Sequence, residues 1–87
     1  MKKLVLFGSP HCPQCGPVKE FLEENNVEFS YIDMTGSMLN LKTFLKYRDT
    51  SSAFDDVKAR GAVGVPCIVI NDGEKIILGK PDLAELA

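Results

Sequence analysis

The chain has 87 residues, enough for one small domain with a modest core. Its 45% apolar and 25% charged residues argue against disorder. A net charge of −2 excludes general attraction to nucleic acid or anionic lipid. The apolar run after Met1-Lys2-Lys3 stops at Gly8, too short for a secretory h-region, and no stretch approaches a membrane span. These features predict a cytoplasmic protein, a reducing setting in which three cysteines do not form a structural framework.

Lys3 to Phe7 reads as a buried strand, and Gly8 to His11 as the loop delivering Cys12. A helix is predicted to open at Cys12 or Pro13, since proline suits a first helical turn. Pro17 is expected to bend it. Val18, Phe21 and Leu22 fall on one face, and Asn25-Asn26 ends the helix. Glu28 to Asp33 alternates and predicts a second strand with Phe29 and Tyr31 on one side.

After the break at Thr35-Gly36-Ser37, Met38, Leu41, Phe44 and Leu45 mark a core-facing stripe on a helix running to about Arg48. Asp49 to Ser52 interrupts it. Ser52 resembles the cap of a second short helix, with Phe54 and Val57 facing inward and Gly61 as its stop. Cys67 to Ile70, the turn signal Asn71-Asp72-Gly73 and Glu74 to Leu78 predict a β-hairpin. Leu83 to Ala87 predicts a terminal helix. The order is βαβ, helical material, hairpin, helix, and the first unit implies a parallel pair with a right-handed crossover.

Chemistry concentrates at Cys12-Pro13-Gln14-Cys15. Two cysteines three apart at a strand-to-helix turn suit a redox pair, or half of a metal site. Zinc prefers four N or S ligands, which this chain supplies only by adding His11 and Cys67 or by dimerising. Such a metal or iron–sulfur binding module is the alternative class of function. In the redox reading Cys12 is the nucleophile and Cys15, one turn in, the resolving thiol. A helix dipole contributes only about 0.3–1 kcal/mol, so amide hydrogen bonds from Gln14 and Cys15 are expected to reach the Cys12 sulfur. His11 reads as a loop residue or a modest modulator. Cys67 reads as a small buried hydrophobe or, following Pro66, as a neighbour of the site.

The CPQC motif and Gly64-Val65-Pro66 before the third strand resemble the glutaredoxin branch of the thioredoxin fold over nearly the whole chain. The resemblance implies an α/β thioredoxin-like fold. Its sheet would be four-stranded and mixed, flanked by helices, with the middle helix extended or split. It implies a cis peptide at Val65-Pro66, with the Val65 backbone offered to an extended substrate. It implies a thiol-disulfide oxidoreductase with no bound cofactor and glutathione as co-substrate, acting on disulfide-containing or glutathionylated proteins, as a monomer. Pro13, Gln14, Val65, Pro66, Gly79, Lys80 and Asp82 are the positions it assigns to substrate or glutathione.

Departures are visible. Gln14 and Gly64 stand where the family typically carries Tyr and Thr, and Gly8-Ser9 where many members carry Lys or Arg for the tripeptide's glycine carboxylate. In Leu78-Gly79-Lys80-Pro81-Asp82, Pro81 removes one expected N–H donor, Lys80 adds a cation, and Asp82 caps the last helix or contacts ligand. Gln14 and Gly79…Pro81-Asp82 are also similar to the glutaredoxin-like hydrogen donors of ribonucleotide reductase, which implies thioredoxin reductase as an alternative source of electrons.

Overall fold

A computed structural model describes residues 3–86. Met1, Lys2 and Ala87, the last of them assigned above to the terminal helix, lie outside the described residues. The chain runs β1 (Leu4–Gly8), α1 (Cys15–Glu24), β2 (Ser30–Asp33), α2 (Met38–Thr50), a 3₁₀ turn (Ser52–Phe54), α3 (Asp55–Ala59), β3 (Cys67–Ile70), β4 (Lys75–Leu78) and α4 (Leu83–Leu86). The strands form one sheet in the order β2-β1-β3-β4. β1 pairs parallel with β2, and the other two pairings are antiparallel. This is the thioredoxin-like α/β fold expected from the resemblance.

β1 and β3 are central, and both of their faces are covered. Leu4, Leu6, Ile68, Ile70 and Ile77 pack with Val18 and Leu22 of α1 and Leu86 of α4. Phe7, Cys67 and Val69 point the other way, onto Phe44, Phe54, Val57 and Met34. Alternation along each strand therefore assigns residues to two cores rather than to a core and solvent.

Several boundaries differ from the sequence reading. α1 opens at Cys15, not at Cys12 or Pro13, with Gln14 as its cap residue. Pro17 is thus the third residue of α1, where an N–H has no intrahelical partner to lose, so it deletes no helical hydrogen bond as the sequence reading supposed. Met38 is 72% exposed rather than core. It is the first residue of α2, beyond the turn that packs, and Phe44 is the residue of α2 that is fully buried. One residue, Ser51, separates α2 from the 3₁₀ turn that leads into α3, and its hydroxyl accepts from the Ala53 N–H at 3.2 Å. The hairpin loop holds four residues, with Asn71 and Asp72 at φ 50° and 60°.

Candidate active site

The site lies where the end of β1 meets the start of β3, which pair through Phe7 and Cys67. Ser9 to Gln14 form the connecting loop. The Cys12 N–H donates to the Ser9 carbonyl (3.0 Å), and the Cys15 N–H donates to the Cys12 carbonyl (3.3 Å). These two tight turns lift Cys12 to a half-exposed position while Cys15 drops to 2% exposure at the base of α1. Gly8 makes room for it. A Cβ there would stand 3.1 Å from Cys15 Sγ and 3.1 Å from Tyr31 Cε1.

The Cys15 N–H is therefore engaged by a carbonyl, not by the Cys12 sulfur as expected. Among the described residues the hydrogen bond of Cys12 Sγ is a long one, donated to the Val65 carbonyl at 3.9 Å. Both thiols are free. Burial, and then the adjacent Cys12 thiol, push the Cys15 thiol up to about 12, against a smaller opposing pull from the Ser9 backbone. Cys15 is held protonated until it reacts.

The loop is anchored by a directional chain of hydrogen bonds that sequence reasoning missed. The Thr35 hydroxyl donates to Asp33 Oδ1 at 2.6 Å. Its single proton is then committed, so the Ser9 hydroxyl, 3.0 Å away, donates to Thr35 Oγ1. Ser9 Oγ in turn accepts from the His11 N–H at 3.1 Å. Ser9 is 4% exposed, so this pairing satisfies a buried hydroxyl. The Thr35 hydroxyl and amide together hold the Asp33 carboxyl below its usual range. His11 itself is exposed at the loop's edge and contributes its backbone here.

Val65 and Pro66 face this loop across the site, joined by a cis peptide bond. The Val65 N–H has no partner among the described residues. Gly64 sits at φ +100°, and a Cβ would lie 3.0 Å from the Phe54 ring, which accounts for glycine where a threonine is typical. Arg48 of α2 fixes the approach to Val65. Its Nε donates to the Val63 carbonyl (2.8 Å) and its Nη2 to the Ala62 carbonyl (2.6 Å).

The residues assigned to ligand divide into two groups. Gln14, Val65, Pro66 and Gly79 line one groove of about 280 Å³. Arg60, at the end of α3 and not anticipated, lines the same groove. Pro13 and Gln14 also border a neighbouring groove with Lys80, whose Nζ lies 4.7 Å from the centre of the Phe21 ring. Asp82 turns away to cap α4. Its carboxylate accepts from the Ala84 N–H (3.1 Å), and its own N–H donates to Glu85 Oε1 (3.2 Å). The Gly79 N–H is also taken, by the Pro66 carbonyl at 2.9 Å. Cys67 is fully buried in the second core, and desolvation pushes its thiol up to about 12. It does not join Cys12 and Cys15. No three His, Cys, Asp or Glu residues converge as a metal ligand set among the described residues, and no helix there is long and apolar enough to cross a membrane.

Comparison with known proteins gives a consistent result. Residues 4–76 match the family model described as Glutaredoxin. An uncharacterised protein of Haemophilus influenzae is 33% identical over 86 residues, covering 99% of this chain and 95% of that one. A crystal structure of a thioredoxin-like protein superposes with a TM-score of 0.64 at 30% identity, over 97% of this chain and 94% of the other. A glutaredoxin from Archaeoglobus fulgidus superposes with a TM-score of 0.64 at 26% identity, over 99% and 83%.

Proposed function

The chain belongs to the glutaredoxin family, and from that membership we propose that it reduces disulfides through a Cys12–Cys15 dithiol cycle. The observation carrying the proposal is the pairing of a half-exposed Cys12 at a loop tip with a buried Cys15 behind it. The Cys12 thiolate attacks one sulfur of a substrate disulfide, breaks that bond and releases the first substrate thiol. Cys15 then gives up its proton and attacks Cys12, forming the internal disulfide and releasing the second thiol. Two electrons and two protons pass to the substrate. A substrate main chain pairs with the free Val65 N–H as it presents its sulfur. The cycle suits a reducing, cytoplasmic setting.

Glutathione is the proposed co-substrate. A carboxylate-bearing tripeptide fits a groove walled by Gln14, Val65 and Gly79 with the Arg60 guanidinium beside it. One observation favours thioredoxin reductase as the electron source instead. Between Gly79 and Asp82 the Gly79 and Asp82 amides are already bonded and Pro81 has none, which leaves the Lys80 N–H as the donor for a carboxylate.

NADPH oxidation with a disulfide substrate separates the two, run once with glutathione and glutathione reductase and once with thioredoxin reductase. Activity only in the second arm removes the glutathione assignment. Cys12→Ser should abolish activity in both. Cys15→Ser should retain deglutathionylation and lose dithiol reduction; equal inactivity of the two variants on a glutathionylated substrate would overturn the assigned roles.

A further inference from the structure

Among the described residues, four of the cavities that border the active-site loop have walls that differ in charge. One contains Lys19 and Asp33, a second Arg60, a third Glu20, Glu24 and Lys80. The fourth, about 270 Å³, is bounded by Ser9, His11, Cys12, Met34, Thr35, Val63 and Val65, with no carboxylate, ammonium or guanidinium among them. It opens beside Cys12 itself, and Val63 at its rim is 51% exposed. Its two polar side chains other than His11 and Cys12 are already paired, since the Ser9 and Thr35 hydroxyls bond each other at 3.0 Å. A polar group entering it finds little to replace its lost water.

From this the geometry points to a specificity pocket for disulfide-bearing polypeptides, one that takes an apolar side chain of the substrate two residues from the attacked cysteine. A segment running past Val65 in extended form places side chains two apart on the same face, about 6.6 Å along the strand. With the substrate sulfur at Cys12, the next side chain on that face falls beside Cys12, where Met34, Val63 and Val65 form the walls. Apolar surface is removed from water there without an unpaired polar cost. The small tripeptide substrate has no such residue, so the pocket would distinguish protein substrates from one another, not from glutathione alone. The inference rests on the oxidoreductase reading and names the substrate class for the same site.

The test is single-turnover reduction by the pre-reduced full chain, with no reductase present. The substrates are symmetric disulfide dimers of two end-capped peptides, Leu-Ala-Cys-Ala-Leu and Asn-Ala-Cys-Ala-Asn. Leu and Asn are close in size and both neutral, so charge steering is the same. Each turnover oxidises Cys12 and Cys15 to their disulfide and yields two peptide thiols. The Leu dimer should react about tenfold faster in second-order rate constant, the scale at which a small apolar difference is read in such pockets. Val63→Asn should bring the ratio close to one. Val63 is exposed and held through its carbonyl by Arg48, so the exchange leaves that hold in place. Equal rates for the two dimers with wild type, or a ratio preserved in Val63→Asn, overturn the pocket while disulfide reduction stands. Failure to reduce either dimer overturns the oxidoreductase reading itself.

Discussion

Gly8→Ala probes how closely the resolving thiol is fitted. Its new Cβ would meet Cys15 Sγ and Tyr31 Cε1 at 3.1 Å and Cys15 Cβ at 3.2 Å, whereas ordinary contact begins near 3.4 Å. Three contacts must open by a few tenths of an ångström at once. Cys15 is buried at the base of α1, and the Tyr31 ring lies beneath Lys19 Nζ, 4.8 Å from its centre. Neither is the free end of a mobile chain. Overpacking of this kind costs about 2 kcal/mol. For a domain of this size each kcal/mol lowers Tm by about 4–8 °C, so a drop of about 8–16 °C is expected by calorimetry. The displaced atom is also the second nucleophile. Stopped-flow reduction of a glutathionylated peptide should show a first phase, attack by Cys12, close to wild type. Formation of the internal disulfide should slow about tenfold, short of the roughly 10²-fold effect of a full-ångström misplacement. A wild-type Tm, or equal slowing of both phases, would refute the idea that Gly8 serves Cys15 specifically.

Three further outcomes follow from the same geometry. At pH 8 a thiol pushed up to about 12 is ionised to the extent of roughly 10⁻⁴, so iodoacetamide should label native protein once; Cys12→Ser should show no native label and two in urea, and a second native label would count against the burial of Cys15. Cys67 keeps its proton to about pH 12 in the fold, against 9.0 for an ordinary thiol. Between those values the unfolded chain binds fewer protons, so stability is intact below pH 9 and declines as pH rises; the decline should be shallower in Cys67→Ala, measured as urea midpoints from pH 8 to 11, and parallel curves would exclude this contribution. Ser9→Ala removes the acceptor of the His11 N–H and the donor to Thr35, and should cost about 1–2 kcal/mol in urea unfolding; an unchanged midpoint would show that the chain of hydrogen bonds holds nothing in place.

The order of elements was legible because it depends on local signals. Strand β1, the hairpin and the split between α2 and α3 follow from apolar runs, turn residues and the Ser51-Ser52 pair. Helix α1 opened two or three residues late because the loop closes on itself through the Ser9 and Cys12 carbonyls, a choice made by backbone geometry and not by helix preference. Met38 shares the spacing of a core stripe, but exposure is decided by where α2 begins relative to the sheet. At the site, Cys12 and Cys15 could be named from spacing, whereas Arg60, Asp33, Thr35 and Val63 could not. Thr35 and Val63 gain their places from contacts across the fold, the 26-residue span from Ser9 to Thr35 and the hold of Arg48 on the Val63 carbonyl. Asp82 left two readings open in the sequence, and the structure shows its carboxylate and amide both engaged in the cap of α4.

Arg48 grips the strand-like approach to Val65 by two carbonyl oxygens and touches no side chain there through hydrogen bonds. Anchorage of that kind is blind to sequence. Residues 62 and 63 can be exchanged over generations, or in the laboratory, while the rail on which a client polypeptide lies stays at the same height. Client choice and scaffold integrity are thereby written in different atoms, and a library randomised at Val63 alone should return many folded proteins with altered preferences.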